Sequence, residues 1–243
     1  MINFRQITRL SLITLLLSGC AATPPTSDNN TLAAAAEKIL YKNVYYNEIF
    51  AKCAALGGEI EVDAINVQQD WLNANAKLVA AADNFYSQQQ ADNSFEYAGL
   101  TLAPTAIRMA LQASQEAQTE LSLNKRSIAN QQKTCSFMLA KMSDAGLSLT
   151  SDPQVANAQA GLMNEQLLDI NALNSPRLAG NIKSIPAGKS YFSINKTHQN
   201  NCPDAYTLVI ANDWPKEAYA NFCGSKAMEV LLCDWGKCEA KKL

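Results

Sequence analysis

The chain has 243 residues, of which 48% are hydrophobic and 17% charged. That is enough to bury a real core, as one domain or as a large and a small one. With 20 Lys+Arg against 22 Asp+Glu, the balance is slightly acidic. It argues against a nucleic-acid groove or a polybasic patch on anionic lipid. Only ten glycines occur, while Ala, Asn and Gln are abundant, which suits long helices with polar outer faces.

The first twenty residues read MINFRQITRLSLITLLLSGC. Arg5 and Arg9 make a positive start, Leu10 to Leu17 form a short apolar run, and Ser18 and Gly19 precede Cys20. That order is a secretory signal, with an apolar run too short to span a bilayer as a mature helix.

Leu17-Ser18-Gly19-Cys20 resembles the lipobox of bacterial lipoproteins. The resemblance implies removal of residues 1–19 and a diacylglyceryl group on the Cys20 sulfur. It also implies an acylated Cys20 amine, and several chains anchor stably where one does not. In Gram-negative lipoproteins an aspartate after the cysteine favours retention at the inner membrane. Ala21 and Ala22 stand there instead, so the resemblance implies the outer membrane, facing the periplasm. Residues 20–243 carry 18 Lys+Arg against 22 Asp+Glu, a formal charge of −4.

Beyond Cys20 six cysteines remain: Cys53, Cys135, Cys202, Cys223, Cys233 and Cys238. An even number in an oxidising compartment reads as three disulfides. Two lie far upstream on helical patterns and four crowd into the C-terminal end. The simplest pairing is Cys53 with Cys135, Cys202 with Cys223, and Cys233 with Cys238. The last pair requires a tight turn over Asp234-Trp235-Gly236-Lys237. No Cys-x-x-Cys pair supports zinc or dithiol redox chemistry, and no cofactor is expected.

Residues 20–30 form the lipidated cysteine and a Pro/Ser/Thr/Asn-rich tether. Ten extended residues reach roughly 30–35 Å, which keeps the folded body close to its membrane. From Thr31 an apolar stripe Leu32, Ile39, Tyr46, Cys53 recurs at sevens until Gly57-Gly58. A second helix is expected from Asp63 to about Gln90, with stripe Val67, Trp71, Ala74, Leu78 and Phe85. A third is expected from Pro104 to Ala145, on Ile107, Leu111, Ser114, Leu121, Ile128, Cys135, Leu139 and Met142. At 1.5 Å per residue it would be about 60 Å long. The alternative is a break around Asn124 to Asn130. Ser151-Asp152-Pro153 opens a fourth helix, with Val155, Leu162, Met163, Leu167, Ile170 and Leu173 inward.

The character changes near Ser184. Residues 190–194, 206–210 and 228–233 are short β-like runs punctuated by Pro and Gly. The expected fold is therefore mainly α: an elongated antiparallel helical bundle over 31–184, then a small disulfide-rich β or α+β unit over 185–243.

No catalytic motif emerges. The single histidine, His198, sits in a polar stretch that reads as an exposed loop. Asn195-Lys196-Thr197 matches a glycosylation sequon, which in a bacterial lipoprotein is a chance match. Glu59 with Glu61, or Asp63 with Asp70, could pair for carboxylate hydrolysis, but caps and solvated faces explain them more simply. Tyr41, Tyr45 and Tyr46 cluster on one helix and are expected to pack against neighbours. Trp214 and Trp235 are slightly better candidates for an exposed contact, or equally the core of the small C-terminal unit. Ser114, Gln118, Lys125 and Gln132 interrupt the third stripe. They point to a thin bundle, or to a helix that runs on into a partner.

The resulting expectation is a non-enzymatic scaffold, adaptor or binding lipoprotein that holds the membrane by lipid and meets another envelope protein. The rival is an inhibitor or exclusion factor acting through the C-terminal unit. A carboxylate- or His198-dependent hydrolase stands behind both.

Overall fold

The computed structural model describes residues 28–98, 100–144, 147–164 and 185–243. Cys20, the tether up to Ser27, and Leu167, Ile170 and Leu173 of the expected fourth helix lie outside the described residues. The protein is mainly helical and ends in a four-stranded antiparallel sheet with disulfides. Among the described residues, no helix is long and apolar enough to cross a membrane.

Helix α1 (Asn29–Ala54) starts at Asp28, whose carboxylate accepts from the Thr31 N–H at 2.8 Å. Its buried residues Leu32, Ala35, Ala36, Ile39, Leu40, Ile49, Phe50 and Cys53 occupy much of its girth. The reason is that three helices pack on it. These are α2 (Gly58–Gln89), α3 (Pro104–Leu121) and α5 (Pro153–Asn164). The α2 start lies five residues earlier than the Asp63 cap suggests. Gly57 and Gly58, with φ of 74° and 65°, make the link between α1 and α2, and Glu59 and Glu61 suit the positive end of the helix.

The 104–145 stretch is not one helix, and the break, over residues 122–127, overlaps the alternative position. Ser122 leaves α3 with a left-handed φ of 47°, residues 123–125 make a 3-10 turn, and α4 (Ile128–Asp144) begins afresh. The expected stripe also mixes two faces. Ala106, Met109, Ala110, Ala113, Ala117 and Leu121 belong to the helical core. Ile107 and Leu111 pack instead into the core of the C-terminal sheet. Of the polar interruptions, Ser114 is buried and accepts from Gln118 Nε2 at 3.2 Å, and that amide also reaches Glu48 Oε1 at 2.8 Å. Lys125 and Gln132 are exposed.

Between α2 and α3 a hairpin absent from the sequence reading pairs β1 (Phe95–Tyr97) with β2 (Leu100–Leu102). After α5 come α6 (Tyr191–Gln199) and strands β3 (Ala205–Asp213), β4 (Lys216–Cys223), β5 (Lys226–Asp234) and β6 (Lys237–Lys242), paired in chain order. Strand β4 is central and buried on both faces. Ala218, Ala220 and Phe222 join Leu208, Ile210 and Val230 in a core shared with Phe95, Ile107 and Leu111. Tyr219 and Cys233 pack on the other face with Ile194 of α6.

The cysteines form Cys53–Cys135, Cys202–Cys223 and Cys233–Cys238, the pairs that spacing favours. The first ties α1 to α4. The second closes the link after α6 onto the end of β4. In the third, Cys233 and Cys238 are direct cross-strand partners in the β5–β6 register.

Candidate binding groove

The run Ser190-Tyr191-Phe192-Ser193-Ile194 is expected as a strand but forms the start of α6. Tertiary contacts decide it. The Glu217 side chain, 1% exposed, crosses from β4 to the head of α6 and accepts from the N–H groups of Lys189 at 2.7 Å and Ser190 at 3.2 Å. A remote carboxylate thus does what a local cap would do. Burial opposes the charge, but the bonds from Ser190 and Lys189 outweigh it and hold the Glu217 carboxyl below its usual range. Gly188 makes the approach possible. A Cβ there would lie 2.3 Å from Glu217 Oε1 and 2.5 Å from Tyr219 Oη.

His198 is likewise not an exposed loop residue. It lies on α6, 8% exposed, with Nε2 2.7 Å from the Phe222 carbonyl. Nε2 must therefore carry a proton, since a carbonyl oxygen only accepts. Phe222 sits where the β4–β5 register shifts, since Asn221 faces Glu229 while Phe222 faces Ala227. Beside it runs a polar relay. Thr207 Oγ1 donates to Asn221 Oδ1 at 2.8 Å, and Asn221 Nδ2 donates to Glu229 Oε1 at 2.9 Å.

Between α6 and this sheet face lies a groove of about 520 Å³. Ser190, Ser193, Ile194, Thr197, His198 and Asn201 line one wall at helical spacing, and Asn221, Glu229, Leu231 and Cys238 line the sheet side. Trp214, from the β3–β4 turn, lines it too. Its ring packs edge-to-face on Trp235 of the β5–β6 turn, centroids 5.6 Å apart, and Lys189 Nζ sits 3.9 Å from its centroid. The two turns are joined by Trp235 N–H donating to the Pro215 carbonyl at 3.0 Å. Trp214 is 41% and Trp235 71% exposed. Trp235 and Gly236 both have positive φ (51° and 78°), the tight two-residue turn that lets Cys233 face Cys238.

A second cavity, about 360 Å³, lies among Lys42, Tyr46, Trp71, Met142 and residues 147–153. It offers less that converges. Asp152 there is already paired with Lys38. The tyrosine cluster is structural as well: Tyr41 and Tyr45 donate to Glu116 and Glu120 of α3. Tyr46 packs edge-on against Trp71, centroids 6.1 Å apart. Burial and the Glu116 bond push Tyr41 up to about 12.

The paired carboxylates of the hydrolase reading, Glu59 with Glu61 and Asp63 with Asp70, stand exposed along α2. Among the described residues no group of three or more His, Cys, Asp or Glu is placed to hold a metal ion. The groove itself is not legible in the sequence, because its parts come from α6, two turns and three strands. Trp214 and Trp235 were its only legible signal. Comparison with protein-family models, with curated proteins and with solved structures returns no match.

Proposed function

We propose that this chain is an envelope lipoprotein, anchored through Cys20 in the outer membrane and facing the periplasm, that binds another envelope protein and catalyses nothing. The recognition surface is the α6–sheet groove with its two tryptophans. The helical part is an elongated antiparallel bundle that carries this surface off the membrane.

The observation that carries this reading is the pair of exposed indoles on joined turns, above a groove in which His198, Asn221 and Glu229 are already bonded. Tryptophan is favoured where one partner buries its anchors in another. Two disulfides and a buried cap hold the surface in place, so little conformational freedom is lost on binding. Glu217 and His198 serve the fold, which favours binding over hydrolysis.

The test is a photo-crosslinking side chain placed at Trp235 or, as a control, at Phe137 of α4, which is 67% exposed. In living cells position 235 should give one discrete adduct that Trp214→Ala removes, and position 137 should not. Equal adducts from both positions, or none from 235, would overturn the reading. If the captured partner is an enzyme that the chain inhibits, the protein is an inhibitor rather than an adaptor.

A further inference from the structure

Strand β6 is an open edge of the C-terminal sheet, and we infer that it pairs antiparallel with β6 of a second copy of this chain. The order β3-β4-β5-β6 leaves two edges, β3 and β6. Helices α6 and α3 pack on β3, and its register shifts between Val209 and Ala211, so that edge is covered and bent. Among the described residues β5 is the one element that packs extensively on β6, and all six β6 residues are exposed.

The hydrogen-bond phase of β6 is fixed at its end, where the Leu243 N–H donates to the Met228 carbonyl at 3.2 Å. In an antiparallel ladder, bonded and non-bonded residue pairs alternate. Lys237, Glu239, Lys241 and Leu243 therefore bond to β5. Cys238, Ala240 and Lys242 turn their main-chain N–H and C=O groups outward, a template for another strand.

The occupant follows from the charges. Lys237 and Lys242 stand opposite Asp234 and Glu229 in the β5–β6 register, whereas Glu239 and Lys241 stand opposite Leu232 and Val230. Among the described residues neither Glu239 nor Lys241 has an ion-pair partner. Two β6 strands related by a two-fold axis run antiparallel. With Ala240 against Ala240, Cys238 meets Lys242 on either side, and each of these pairs exchanges two main-chain hydrogen bonds. Glu239 of each copy then faces Lys241 of the other. Centring the pair on Glu239 instead sets the two Glu239 carboxylates against each other and Lys237 against Lys241. Centring it on Lys241 opposes the two Lys241 ammonium groups. Charge thus selects the Ala240 register. Edge lysines discourage pairing with most strands, and Glu239 lifts that obstacle for a second β6. This pairing stands independently of the groove.

The test is sedimentation of the purified full chain over a range of concentrations. The wild type should reach twice the monomer mass. Glu239→Lys and Lys241→Glu each set like charges across the axis, and each should weaken dimerisation at least tenfold. An equimolar mixture of E239K and K241E should recover the dimer, because each copy then offers the other the opposite charge. Such recovery also shows that both variants are folded. Ala240→Pro removes an outward N–H that β5 does not use and should abolish the dimer, while Ala240→Val should keep it. A monomeric wild type, a mixture that stays monomeric, or an A240P chain that dimerises as the wild type does would overturn the inference.

Discussion

Glu217 shows how one residue can hold a whole corner of the protein. Its carboxylate is buried yet kept ionised by the main-chain N–H groups of Lys189 and Ser190. Replacing it by Gln keeps the shape and removes the charge. Charge-assisted hydrogen bonds contribute about 2 kcal/mol, so E217Q should be less stable by about that amount at pH 7. The folded-state pKa lies below the ordinary 4.5, so this stabilisation is complete above pH 4.5. It is lost as the pH falls through the folded value. Urea titrations of the wild type and E217Q should therefore differ at pH 7 and converge toward pH 3. A gap that persists unchanged at pH 3 would mean that the carboxylate charge is not what caps α6.

Among the elements, α3 belongs to two cores at once. Its alanines let it approach α1 closely, while Ile107 and Leu111 meet the sheet. Arg108 fastens the second contact. Its guanidinium donates to the Gly224 carbonyl in the β4–β5 turn and lies 5.0 and 4.8 Å from the ring centroids of Tyr206 and Phe222. Arg108→Ala should leave both cores folded but loosen their contact. Hydrogen exchange at Gly224, whose N–H donates to the Asp204 carbonyl at 3.1 Å, should speed at least tenfold, with α1 unaffected. Unchanged exchange there would show that the apolar contacts alone set the docking.

Such double duty explains what was legible beforehand. The α1 period of seven and the β3 and β5 runs stood out because each element has one dominant apolar pattern. The stripe assigned to α3 mixed two faces, and periodicity alone cannot separate them. The break after Leu121 carries neither Gly nor Pro, only Ser122 in a left-handed conformation. The α6 segment reads as β because Tyr, Phe and Ile favour strands, and its cap lies 27 residues away in sequence. His198 looked solvated for the same reason: its partner is a carbonyl on β4. Spacing did narrow the disulfides, since four cysteines within one small unit leave few short closures.

For the whole molecule, the proposed function gives the three disulfides and a lipid anchor at Cys20 one history, export into an oxidising compartment. Cys53–Cys135 spans 82 residues, for which the chain-entropy model assigns about 4.5 kcal/mol of stabilisation. It fastens the helical part as the other two fasten the groove. On the proposed function the protein is membrane-tethered and fully oxidised and presents a preset surface. Intact-mass spectrometry of the chain from membranes, before and after reduction and alkylation, tests that most directly. The expected result is a mass beginning at Cys20 with lipid added, and six cysteines that alkylate only after reduction. A chain without lipid, or thiols that alkylate without reduction, would contradict it.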